Sequence, residues 1–155
     1  MRACLKHSHA GGLERAQRQG LDVWVDGLFN RPEIKWGKGI GRIVRAQIQR
    51  AMLHRGWSDE FNVSNGYDLK LMGQKDGTIL QLQTGNISRV PYDLLKFQYL
   101  FLEKRTDLVI YCMPTAKAAQ ASGRSSNLAQ IERIVSELRL FKDIITVPML
   151  LVGFE

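Results

Sequence analysis

The stretch GTILQLQTGNISRVPYDLLKFQ, residues 77–98, governs how the rest of the chain is read. Successive side chains of a strand point to opposite faces, so TILQLQT projects Gln81 and Gln83 together and sends Leu80 and Leu82 into the opposite layer. TGN then supplies turn residues. Pro91 opens a helix, because proline suits a first turn, and Asp93 is placed to meet the exposed amides there. Leu94, Leu95, Phe97 and Phe101 give that helix its buried side. Two neutral amides beside a turn leave two readings open, a solvated face or a chemical site.

Upstream, YDLKLM and TILQLQT read as two strands of a hairpin with Asp76-Gly77 at its bend. Asp68 and Lys70 share one face of the first strand, and cross-strand pairing would turn Asp68 toward Gln81. A carboxylate, an amide oxygen and a backbone carbonyl are the oxygen ligands that a hard cation such as magnesium takes. Such an ion activates water and stabilises a phosphodiester transition state.

Further out, Ile40, Ile43, Val44, Ile48, Ala51 and Met52 recur at helical spacing with Gly56 as a stop, while Arg42, Arg45, Gln49 and Arg50 make the other side basic. Residues 13–19 suit a short helix, and the type of GLDVWVDGLF is left open. Beyond the central stretch, DLVIYCM is a continuous apolar strand ended by Pro114, and TAKAAQASGR reads as a loop. A helix follows with Leu128, Ile131, Val135 and Leu138 in phase. ITVPMLLVGF closes as a strand whose Pro148 suggests an edge or an irregularity. The order implies an α/β fold, a central mixed β-sheet flanked by α-helices, since parallel strands need crossovers.

A chain of 155 residues is one domain's worth, taken as 1–155. No apolar run approaches the ~18 residues a membrane span needs, and MRACLKHSHAGG lacks a signal-peptide core, so a cytoplasmic location and no membrane partner are expected. Cys4 and Cys112 form no CxxC pair, and HSH at 7–9 is too short to define a metal site. The net charge of +7 is uneven: residues 1–56 hold 11 Lys and Arg against 4 Asp and Glu, while residues 57–155 are balanced. A basic region on a balanced chain is the footprint expected for a polyanion, most often nucleic acid.

Taken together, the run from YDLKLM through GTILQLQTGN and YDLLKFQ to DLVIYCMPT resembles the type II restriction endonucleases of the BglII, BstYI and BamHI group, within the PD-(D/E)xK nuclease superfamily. That group carries Asp on one strand, ExQ or ExE on the next, then Asn, a helix like YDLLKFQ and an apolar strand ending near proline. The resemblance implies a restriction-endonuclease-like core and Mg2+-dependent hydrolysis of DNA phosphodiester bonds, with Mn2+ as a substitute. Residue by residue it implies Asp68, Gln81 and Gln83 as the catalytic set. Asp68, Gln81 and the Leu82 carbonyl would be metal ligands, and Gln83 would help orient the attacking water. Gln81 departs from the Glu of the group, which makes activity through an amide, an engineered trap and a silent binder the competing accounts; Glu60 is a substitute carboxylate or a surface residue. Asn86, Ser88 and Arg89 match base-contacting positions, Lys117, Arg124 and Asn127 follow, and Arg42, Arg45 and Arg50 suit phosphates. Implied partners are double-stranded DNA, a second copy in a homodimer, and a cognate DNA methyltransferase of the host.

Overall fold

The computed structural model describes residues 1–123 and 126–155. A five-stranded sheet runs in the order β1-β7-β6-β5-β4, made of β1 (Ala3–His9), β4 (Gly73–Lys75), β5 (Thr78–Leu82), β6 (Leu108–Pro114) and β7 (Met149–Phe154). β5, β6 and β7 are parallel, and β4 and β1 lie antiparallel at the edges. A two-stranded ladder of β2 (Phe61–Asn62) and β3 (Lys70–Leu71) stands apart. This is the mixed, helix-flanked α/β sheet that the element order implies.

Two apolar layers explain why β6 and β7 read as continuous apolar runs: strands covered on both faces need no alternation. On one face Val109, Tyr111, Met113, Met149 and Leu151 pack against α4 (Val90–Leu102) and α6 (Ile131–Leu140). On the other, Ile110, Cys112, Leu150 and Val152 meet α1 (Gly12–Arg18), α2 (Leu21–Phe29) and α3 (Gly41–His54). α1 sits so close to the sheet that a Cβ at Gly12 would collide with the Met149 backbone. Cys112 is buried in this layer and Cys4 is exposed.

Several expectations are corrected. The strand facing β5 is Gly73–Lys75, paired Gly73 to Leu80 and Lys75 to Thr78, with Asp76 and Gly77 at φ 46° and 74° in the bend. The Asp-Gly turn is therefore where it was expected, but YDLKLM is not its first strand: only Lys70–Leu71 is extended, and it pairs with β2. GLDVWVDGLF is helical. TAKAAQASGR contains α5 (Ala116–Ala121), started by Thr115, whose hydroxyl accepts the Ala118 N–H at 3.1 Å. Leu95 faces solvent at 60% exposure. β7 is interior, because β1, read as no element from sequence, covers it; Pro148 precedes the strand and its carbonyl accepts from Val109 N–H. Among the described residues no helix is long and apolar enough to cross a membrane.

Candidate functional site

Gln81 and Gln83 lie on the same face of the sheet, as alternation requires, yet neither is solvated. Each is 7% exposed, because α4 folds back over this end of the sheet. The β4–β5 ladder begins at Gly73, and the next amide outward, Met72 N–H, is taken by Gln81 Oε1 at 2.9 Å. The side-chain oxygen thus does a ladder carbonyl's work. A buried N–H left without an acceptor would be costly, which fixes the amide's orientation.

Gln83 is held at both ends. Its Oε1 accepts the Gly85 N–H at 2.9 Å and its Nε2 donates to Asp93 Oδ2 at 2.8 Å. Asp93, in the first turn of α4 and 3% exposed, also accepts from the Tyr111 hydroxyl at 2.9 Å and pairs with Lys96 Nζ at 2.7 Å. Burial, reinforced by the neighbouring Asp93 charge, raises the Tyr111 pKa well above its ordinary value, so the phenol remains a neutral donor. Both carboxylate oxygens of Asp93 thus face a donor, as a buried carboxylate requires.

Over this hub opens a cleft of about 680 Å³, walled by Gln81, Leu82, Gln83, Thr84, Ser88 and Arg89 along the β5 end and the turn. Arg45, Lys70, Arg89 and Lys96 bring four cations to it, against the two carboxylates of Glu60 and Asp93. Beyond Thr84 a neighbouring hollow is lined by Lys38 and Arg42, so the basic surface of α3 continues the cleft. Arg50 is exposed on the same helix.

The turn itself is locally encoded. Asn86 Oδ1 accepts the Ser88 N–H at 2.9 Å and starts a 3-10 turn over Ile87–Arg89. The turn is then pinned to a distant segment: Ile87 N–H donates to Asn127 O at 2.8 Å, Ala129 N–H donates to Gly85 O at 3.1 Å, and Asn86 bridges Leu128. Asn127 therefore stands beside Asn86 along the backbone. Lys117 is elsewhere, paired with Glu155 at 2.8 Å. Arg124 lies outside the described residues.

Asp68 does not line the cleft. Its side chain is 85% exposed and its carboxylate is 3.6 Å from Lys70 Nζ. Asp68 does not face Gln81 because the strand paired with β5 is Gly73–Lys75, while Lys70–Leu71 pairs with β2. Glu60 is in the cleft instead, at 3.0 Å from Arg45 and 3.7 Å from Lys70. Sequence reasoning missed Asp93 and Lys96 as cleft groups; their i,i+3 spacing on a helix was the available signal, together with a tyrosine inside an apolar strand.

A divalent cation binds where several charged oxygens converge. Here Gln81 Oε1 holds a backbone amide, Glu60 faces two cations and Asp93 faces three donors. Among the described residues no three His, Cys, Asp or Glu side chains form a group fit to hold a metal. The donor set does not fit a divalent ion.

Comparison with known proteins names the family. The model of the restriction endonuclease BglII/BglIII family matches residues 28–154. The whole chain superposes on 78% of the restriction endonuclease BglII complexed with a DNA 16-mer, at TM-score 0.82 and 13% identity. It also superposes on 80% of free BglII at TM-score 0.72 and 13% identity. No curated protein matches the sequence. The chain has a restriction-endonuclease fold, and it belongs to the BglII/BglIII restriction endonuclease family. That is a family of site-specific DNA endonucleases, whose type II enzymes generally use a divalent metal.

Proposed function

We propose that this chain engages duplex DNA at the cleft as a site-specific restriction endonuclease does, with cleavage weakened by Gln81 where the resemblance implies Glu. The observation that carries the reading is the convergence, in one basic cleft, of the Gln81-Leu82-Gln83 strand end, the Ser88-Arg89 turn and Arg45. Arg89, Ser88, Asn86 and Asn127 take the base edges. Arg42 and Arg45 take phosphates, which position the protein without reading sequence. Magnesium, or manganese, is the ion the family's reaction implies; Asp68, outside the cleft, Gln81, whose oxygen serves Met72 N–H, and the Leu82 carbonyl do not make a site for it as they stand. A catalytically silent DNA binder is the limiting case, favoured by the bond between Gln81 and Met72 N–H. A restriction role brings with it a cognate DNA methyltransferase and a cytoplasmic setting.

Duplex affinity, measured by mobility shift over a salt series, should fall linearly in log–log form, and Arg45→Ala should reduce the slope by about one. Arg89→Ala should cost about 1–3 kcal/mol on preferred sequences and flatten the preference. Binding indifferent to salt and to both substitutions would remove this reading.

Cutting both strands of a palindromic site suits a two-fold dimer. Tyr92, Leu95, Tyr99 and Leu102 are 65%, 60%, 42% and 67% exposed and recur on one side of α4, with Tyr67 beside them. An exposed apolar stripe of this kind is the surface a second copy would cover. Leu95→Glu should convert dimer to monomer in sedimentation experiments at micromolar protein; an unchanged dimer would place the interface on another face.

A further inference from the structure

The cleft carries cations where the family's chemistry implies a metal. Lys70 Nζ stands 3.6 Å from Asp68 and 3.7 Å from Glu60, beyond hydrogen-bond reach of either. Its ammonium is attracted to both carboxylates and committed to neither. Among the described residues the Arg45 guanidinium makes one hydrogen bond, Nη2 to Glu60 Oε2 at 3.0 Å, although a guanidinium can offer a two-pronged fork. Both cations open onto the cleft beside Gln81.

Resting on the DNA-binding reading above, we infer that the cleft takes a DNA phosphate directly on Arg45 and Lys70, with no divalent ion, and that Glu60 is the group the phosphate displaces. A phosphodiester carries the same single negative charge as the Glu60 carboxylate, so the exchange leaves the local charge unchanged. It offers Arg45 two oxygens in the geometry that its fork matches. Glu60, 40% exposed, has solvent to move into. Lys96 cannot fill this role, since it is 13% exposed and held by Asp93. In this arrangement the Lys70 ammonium neutralises the phosphate, and Glu60 sets a threshold for DNA entry.

The sign of one substitution separates this from a metal site. Affinity for a labelled duplex would be followed by anisotropy at constant ionic strength, in EDTA and in Ca2+ or Mg2+. The expected result is that the wild-type affinities agree within about twofold, that Glu60→Gln tightens binding about two- to fivefold in every buffer, and that Lys70→Gln weakens it by a similar factor. Tightening of tenfold or more by Ca2+ or Mg2+, with loss of that gain in Glu60→Gln, would make Glu60 a metal ligand and overturn the inference while leaving DNA binding intact. Glu60→Gln affinity equal to wild type would overturn the displacement. Absence of duplex binding in all buffers would overturn this inference and the DNA reading together.

Discussion

Asp93→Ala is expected to destabilise the protein by about 3–5 kcal/mol, the usual cost of removing one partner from a buried ion pair. Three donors lose the carboxylate at once: Lys96 Nζ, Tyr111 Oη and Gln83 Nε2. The lysine is the worst placed: its side chain is 13% exposed, and the Lys70 carbonyl that its ammonium keeps at 3.0 Å carries no formal charge. For a chain of this length the loss corresponds to a fall in melting temperature of roughly 10 °C. Asp93→Asn should recover part of it, since an amide oxygen still accepts from Tyr111 but offers Lys96 no charge. Thermal denaturation of the two variants and of Tyr111→Phe checks the ranking. A loss under about 1 kcal/mol for Asp93→Ala would mean that water substitutes for the carboxylate and that the hub is wetter than the packing indicates.

Gln81→Glu is expected to create what the cleft lacks. The Met72 N–H that now serves the amide oxygen would serve a carboxylate better, so the charged form has a donor waiting. A unit charge about 4 Å from a cation is worth on the order of 4 kcal/mol per ionic charge near a protein surface, offset here by burial and by Lys70. At least a tenfold rise in Mn2+ affinity should survive that offset. Calorimetry with Mn2+ reads it directly, and plasmid digestion in Mg2+ should show fragments that the unaltered chain yields slowly or not at all. The pair Gln81→Glu, Asp68→Ala separates ligands: cleavage that persists in it excludes the exposed Asp68 and points to Glu60. If Mn2+ binding is unchanged in Gln81→Glu, a missing charge at residue 81 is not what weakens the site.

Most of the sheet was legible because burial on two faces leaves a plain mark. LVIYCM and MLLVGF have no alternation to misread, and the Asp-Gly bend requires positive φ at both residues, which these two residue types tolerate. The N-terminal strand left no such mark: ACLKHSH mixes small, charged and aromatic-ring residues because it lies at a sheet edge, half covered. Asp68 was misplaced for a related reason. A period-two pattern in YDLKLM fits any extended segment, and nothing local says that the chain leaves one ladder at Leu71 and joins another at Gly73. The glutamines themselves were placed correctly on one face, but their burial depended on α4 closing over them. That is a tertiary fact no strand pattern contains. Family resemblance carried further than spacing, since it identified the fold while leaving the identity of the cleft's acidic residues to geometry.

The pairing of Ala3–His9 with Met149–Phe154 has a kinetic meaning as well. It joins segments separated by nearly the whole chain, and contacts of that separation are among the slowest to form, because most of the loop entropy must be lost before they return anything. The β5–β6 and β6–β7 neighbours, each linked through one crossover, can assemble without it. Folding should therefore proceed from the parallel centre outward, with the first strand docking last and exchanging its amide hydrogens sooner than the strands it shields.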